Sequence, residues 1–201
     1  MKKERPNFSP STAPLRWEQT CNNPTTVMIT LFIKDCNHQI TQEYYDRVIH
    51  SISIHQLRCS CGHSGCMIIH GYYRRHLKTS NGIIQLQITR VRCTDCGATH
   101  ALLLSSIVPY SQIALSVQIK IIQAFHSGSD RNAFCTLDDT IDENHVKSIL
   151  LRYQRHWLER IRAVSTMAKP VNELICICFS HYARQFMQIH RTFNTLFTGT
   201  T

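Results

Sequence analysis

Apolar positions along the chain follow two different periods, and the change of period divides it. Residues 27–33 form a short, apolar, β-branched run of strand length. A polar turn, Asp35-Cys36-Asn37-His38, follows. Tyr44, Tyr45, Val48, Ile49 and Ile52 then recur at helical spacing behind Thr41, a residue type that caps helix starts. From residue 58 to 100 the texture changes to Cys, Gly and Arg with a period of two. Residues 67–74 read as one strand and 83–92 as another, with Ile84, Leu86 and Ile88 on one face and Gln85, Gln87 and Thr89 on the other. Asn81-Gly82 marks the reversal. Because residues 75–80 are polar and unpatterned, the expected hairpin loop is longer than two residues.

After Pro109 the period becomes helical. Residues 113–125 are amphipathic and stop at His126-Ser127-Gly128-Ser129. Thr140-Ile141-Asp142-Glu143 has the Ser/Thr-x-x-Glu form of a capping box. Val146, Ile149, Leu150, Tyr153, Trp157 and Ile161 then make one stripe reaching about Arg162. A short middle helix is expected around residues 131–135, giving this region a helix-turn-helix outline. Lys169-Pro170 interrupts the chain, and beyond it Cys176-Ile177-Cys178 alternates like a buried strand. Residues 1–26 carry four prolines and little apolar periodicity, so they are expected to be a disordered tail that folding does not need.

Charge alters this picture. The chain has 22 Lys+Arg against 13 Asp+Glu, a formal net charge of +9. Fifteen of the basic residues are Arg and seven Lys, a bias toward the side chain that contacts phosphate and guanine in pairs of hydrogen bonds. No apolar run approaches the roughly 20 residues that span a bilayer. The basic start runs straight into Pro6, Pro10 and Pro14 rather than an apolar segment. Membrane spanning is excluded on this pattern, secretion is disfavoured, and a cytoplasmic location is expected.

The ten cysteines carry the most specific chemistry. In a reducing compartment clustered thiols imply a metal rather than disulfides. Cys59, Cys61 and Cys66 precede a gap of 26 residues, after which Cys93-Thr94-Asp95-Cys96-Gly97 follows. Cys-x-x-Cys-Gly lets two thiolates meet one ion while the glycine allows the backbone to reverse. Two such half-sites at the base of a hairpin make a tetrahedral thiolate site, and Zn2+ is its best match. The first half-site offers three thiols for two seats. Cys59 with Cys61 is slightly preferred, Cys66 competes closely, and His63 and His70 are spare ligands. Cys176 and Cys178 are expected to pack in the core. No His-Glu-x-x-His or His-x-Glu occurs, so the metalloprotease and deaminase signatures are absent.

Around the hairpin stand Arg58, Arg74, Arg75, Lys78, Arg90 and Arg92, with Tyr72 and Tyr73 among them. On the later helix Lys147, Arg152 and Arg155 stand off the apolar stripe. Arg74, Arg75, Lys78, Arg90, Arg92, Lys147, Arg152 and Arg155 are therefore the candidate DNA contacts. If both surfaces touch the backbone, roughly six phosphates are neutralised, for a log-affinity against log-salt slope of about −5.

The fold class expected from these elements is α+β: a small zinc-ribbon β-hairpin unit followed by a helix-turn-helix-like helical region. Its organisation is a tail at 1–26, a strand and helix packing on the ribbon at 27–57, the ribbon at 58–108, the helical region at 109–168 and a C-terminal segment at 169–201.

Several motifs also carry a resemblance. Cys59-x-Cys-Gly-His-x-Gly-Cys66, His70-Gly-Tyr-Tyr-x-Arg75, Arg90-Val-Arg-Cys-x-x-Cys-Gly-x-Thr-His100 and Val108-Pro-Tyr-Ser111 resemble an uncharacterised family of clostridial-type bacteria. That family is related to the zinc-ribbon heads of insertion-sequence transposases. Cys178-Phe-Ser-His and Arg184-Gln-Phe-Met-Gln-Ile189 extend the likeness. The resemblance implies Cys93 and Cys96 as ligands, Cys61 as the second thiol of the first knuckle, and binding to element ends. A transposase catalytic domain holds two metal ions on three carboxylates. After residue 100 only Asp130, Asp138, Asp139, Asp142, Glu143, Glu159 and Glu173 occur, mostly in one cluster. The expected function is a non-catalytic, Zn2+-dependent protein of a mobile element that binds double-stranded DNA. The alternative is a module docking a separately encoded transposase or recombinase, for which the apolar tail Phe186, Met187, Ile189, Phe193, Leu196 and Phe197 is suited.

Overall fold

The computed structural model describes residues 27–33, 39–129, 140–182, 184–189 and 197–198. The expected tail at 1–26, the turn at 35–38 and the middle helix at 131–135 lie outside the described residues. The fold is α+β: a mixed sheet with a helical region after its strands. In chain order the elements are β1 (Val27–Phe32), α1 (Gln42–His50), β2 (Met67–Thr79), β3 (Gly82–Cys93), β4 (Thr99–Leu104), α2 (Leu115–Ser127), α3 (Glu143–His156), α4 (Leu158–Val164), α5 (Val171–Tyr182) and the two-residue β5 (Phe197–Thr198). The strand order is β2-β3-β4-β1, with β5 beyond β1. β2, β3 and β4 pair antiparallel, whereas β1 runs parallel to β4 with Val27 opposite His100. The cysteine-rich hairpin and the strand at 27–32 therefore share one sheet.

The hairpin is tighter and longer than its sequence suggests. Thr79 pairs with Gly82, so only Ser80 and Asn81 connect β2 to β3, and residues 75–79 are strand rather than loop. Gly82, at φ 106, takes the positive dihedral that the turn requires. The polar pattern misleads because its side chains have tertiary partners. Arg75 Nη2 donates to the carbonyls of Val108 at 2.7 Å and Ser111 at 2.6 Å, and Lys78 Nζ donates to Thr140 O at 2.7 Å.

Burial along β3 changes face partway. Leu86 and Ile88 are covered on one side; from Thr89 through Val91 to Cys93 the covered side is the other. The register shift between Ile69 and Gly71 on β2 stands opposite this change. The hairpin thus leaves one face open at its tip, where Tyr72, Arg74, His76, Gln85 and Gln87 are exposed. It leaves the opposite face open at its base, at Ile68 and Arg92.

α1 closes the edge of β3 beyond the end of β4. Thr41 caps this helix, its hydroxyl accepting from Tyr44 N at 3.1 Å. Gln42 exchanges two hydrogen bonds with the backbone of Gln87. The fully buried Tyr45 hydroxyl accepts from Thr89 N and donates to Leu102 O, both at 2.9 Å. Tyr45→Phe leaves both backbone groups without that partner in a dry interior. The expected loss is about 2–4 kcal/mol of unfolding free energy, measurable by urea denaturation.

α2 ends on Gly128 in the left-handed conformation, as the Ser-Gly-Ser stop implies. The capping box of α3 lies two residues later than expected. Asp142, not Thr140, accepts from His145 N at 2.8 Å, and His145 Nδ1 accepts from Asp142 N at 3.3 Å. Ile141 is drawn into the core, which puts Thr140 outside the helix start. The expected stripe Val146, Ile149, Leu150, Tyr153, Trp157 and Ile161 is buried throughout, although the helix breaks at Trp157 into α3 and α4. Cys176-Ile177-Cys178 is not a strand but part of α5. At helical spacing only Cys178 reaches the core, and Cys176 is exposed. Phe186 and Met187 are fully buried, with Phe186 against Trp157 at 5.3 Å between ring centroids and Tyr153 at 6.3 Å.

Candidate metal centre and basic groove

The two cysteine half-sites meet where the hairpin begins and ends. Cys93 closes β3, and the turn after it returns through Gly97 at φ 73, whose N–H donates to Cys93 O at 3.0 Å. Cys59 and Cys61 lie in the turn before β2, where Gly62 N donates to Cys59 O at 3.0 Å. Thr94 N donates to Cys66 O at 2.8 Å and ties the two turns together.

The sulfurs of Cys59, Cys61, Cys93 and Cys96 all lie within 4.8 Å of one another. Cys59 and Cys96 are 3.5 Å apart, and Cys61 and Cys93 are 3.9 Å apart. A tetrahedral ion with metal–sulfur bonds of about 2.3 Å separates its sulfurs by about 3.8 Å. The four thiols therefore fit one ion, and this cluster can hold a metal. Cys59 and Cys93 are fully buried, whereas Cys61 and Cys96 are half-buried and mark the solvent side of the cluster. Of the expected spare ligands, His63 stands with Nδ1 at 3.7 Å from Cys61 Sγ, and His70 is exposed on β2 outside the cluster.

Burial pushes the Cys59 and Cys96 thiols above the ordinary cysteine range. Burial works against Cys93 too, but N–H groups from Cys96 and Asp95 directed at its sulfur, and the hydrogen bond it shares with Cys66, hold it at about 6. Of these thiols Cys93 is the one disposed toward the thiolate that a cation needs, and metal uptake must displace the protons that burial holds on Cys59 and Cys96.

His100 is a partner that the spacing did not single out. It is buried on β4 with Nε2 at 3.3 Å from Cys59 Sγ, and burial lowers its pKa, favouring the neutral ring. In the tautomer that carries its proton on Nε2, the ring would donate to a Cys59 thiolate and offset part of the charge that four thiolates would bring into the sheet. The available signal was its position: a histidine in the apolar run Ala101-Leu102-Leu103-Leu104.

The expected DNA contacts separate into three groups. Arg75 and Lys78 are occupied inside the fold, as described above. Arg90 donates to Thr99 Oγ1 at 3.2 Å and is half-buried. Arg74 and Arg92 are exposed, but on opposite faces of the hairpin. Lys147, Arg152 and Arg155 come together. With Asn144, Ser148, Leu151, His156 and Ile189 they line a groove of about 370 Å3 along the outer side of α3. The groove has no acidic lining residue, and its three cations have no hydrogen-bond or ion-pair partner among the described residues. Arg152 is half-buried there, and desolvation lowers its pKa. Arg75→Met is expected to cost about 2–3 kcal/mol of stability, because two carbonyls lose a charged donor, and to leave any binding of duplex DNA unchanged. Thermal melts beside binding isotherms check both halves of that statement.

The described carboxylates after residue 100 do not converge. Asp142 caps α3, Glu159 pairs with Arg162 at 2.9 Å, and Glu173 pairs with Lys169 at 2.7 Å. Asp130, Asp138 and Asp139 lie outside the described residues.

Residues 59–142 match the model of a family described as a domain of unknown function, DUF6431. The matched stretch begins at the first cysteine of the metal cluster and stops at the cap of α3, so the basic groove lies beyond it. No curated protein matches the chain. No solved structure matches it either. No helix among the described residues is long and apolar enough to cross a membrane.

Proposed function

We propose that the chain is a non-catalytic, Zn2+-stabilised DNA-binding protein, an accessory or regulator of a mobile element. In this reading Cys59, Cys61, Cys93 and Cys96 hold the ion, and the outer stripe of α3 meets the duplex. The observation that carries it is the groove: three cations on one helix face, no acid in the lining, and no internal partner among the described residues. Unpaired guanidinium groups flanked by Asn144 and Ser148 are the chemistry that contacts phosphates and base edges. The ion is structural, because an all-thiolate shell leaves no position for substrate. The test is binding of the zinc-loaded chain to labelled duplex DNA at increasing salt. Binding that weakens steeply with salt supports the reading; no binding at low salt refutes it.

A second reading, a module that docks a separately encoded transposase or recombinase, draws on a different observation. Ile68, Ile69 and Tyr72 on β2, the outer strand of the sheet, are 45%, 52% and 56% exposed. The apolar tail no longer argues for it at Phe186 and Met187, which are spent in the core. Phe193 and Leu196 lie outside the described residues.

A further inference from the structure

Cys66 is the one thiol of the ribbon that the four-sulfur cluster leaves out, and it is not isolated. Its sulfur lies 3.3 Å from Cys93 Sγ, and Cys66, Cys93 and the Asp95 carboxylate place their donor atoms within 4.8 Å of one another. At the rim of this group, His63 Nδ1 lies 3.1 Å from Asp95 Oδ2. Two donor sets therefore share one sulfur: the four thiols, and Cys93 with the Cys66 thiol and the Asp95 carboxylate, beside which the His63 imidazole stands, its Nδ1 also 3.7 Å from Cys61 Sγ. A thiolate keeps lone pairs after binding one ion, and sulfur, nitrogen and carboxylate oxygen are the donors that Zn2+ and similar soft divalent ions take.

We propose that the ribbon binds a second thiophilic divalent cation on Cys66 and Asp95, with Cys93 bridging the two ions and His63 completing the set. The proposal rests on the four-cysteine centre, because its bridging ligand belongs to that centre. The second ion binds more weakly than the first. Cys93 shares its charge between two ions, and the Asp95 and His63 side chains are 48% and 65% exposed and must be ordered. The second site fills after the first, and it is reached from the solvent side through Asp95 and His63.

Metal titration of the full, reduced chain with Cd2+ tests this, with native mass spectrometry counting ions and 113Cd NMR reporting donor type. The expected result is two ions per chain, the first with an all-sulfur resonance and the second with a mixed sulfur, nitrogen and oxygen one. Cys66→Ala binds one ion and keeps the all-sulfur resonance. Asp95→Asn, at an exposed position that the core does not use, weakens the second ion by about tenfold or more and leaves the first unchanged. If Cys66→Ala does not fold, the Asp95→Asn titration decides. One all-sulfur ion at saturation overturns the second site alone, as does a second ion indifferent to Asp95→Asn. Loss of the first ion in Cys66→Ala places Cys66 in the first centre and also overturns the proposal. No bound ion at all overturns the first centre with it.

Discussion

Chelating the metal from this protein is expected to unfold the base of its sheet. A structural Zn2+ on the four sulfurs would supply binding energy on the order of 10 kcal/mol, and that energy would be folding energy because the four sulfurs converge only in the folded chain. Cys59 and Cys93 sit among Leu57, Met67 and Val91 in the core, so the turns they anchor cannot relax independently of β2 and β3. Replacing half-buried Cys96 by Ser should remove most of the bound zinc and cost several kcal/mol. For a chain of this size, at about 2–4 °C per kcal/mol, the melting temperature should fall by about 10 °C or more. Cys66→Ser should leave the first zinc in place. Elemental analysis of protein purified without added metal, with melts before and after chelation, measures both effects. An unchanged melt on full metal removal would show that the ion is not structural.

The second large effect is on DNA. On the proposed function, Lys147, Arg152 and Arg155 can supply three phosphate contacts at most, so the groove would contribute about −3 to the log-affinity against log-salt slope. This is a smaller slope than the sequence implies, because Arg75 and Lys78 are committed inside the fold and Arg74 and Arg92 face opposite ways. Replacing all three groove cations with Gln should weaken duplex binding on the order of 100-fold at low salt and flatten the slope by about three. None of the three has a partner to lose among the described residues, so the melting temperature should stay near that of the unaltered chain. Salt-dependent fluorescence anisotropy on specific and random duplexes reads both numbers. A slope that does not change would move the DNA contact away from α3.

What the sequence revealed follows the range of the forces involved. The α3 stripe, the Thr41 cap, the Gly128 stop and the Cys93-Cys96-Gly97 turn are local, since each depends on residues within a turn or two of itself. Cys59, Cys61 and Cys66 posed a question that spacing could not answer. The choice depends on which sulfurs the hairpin register brings opposite Cys96, a long-range fact. The same limit explains the hairpin loop. Arg75 and Lys78 look like solvated loop residues until Val108, Ser111 and Thr140 are placed beside them. Cys176-Ile177-Cys178 misled because three residues cannot separate a period of two from one of 3.6. His100 closes a sequence motif, but its contact with the cluster is not legible there because its partner, Cys59, lies on another turn of the chain.

The parallel pairing of β1 with β4 has a kinetic consequence. Between Val27 and His100 lie α1 and the entire hairpin, so this contact closes a long loop, and its entropy is spent before any hydrogen bond returns it. The β2–β3 hairpin, joined by two residues, closes early by comparison. β1 therefore docks late, onto a β4 edge that the thiol cluster and the Gly97 turn have already aligned. Refolding is accordingly expected to be slow for a chain of this length, and faster when the metal is present from the start than when it is added afterwards.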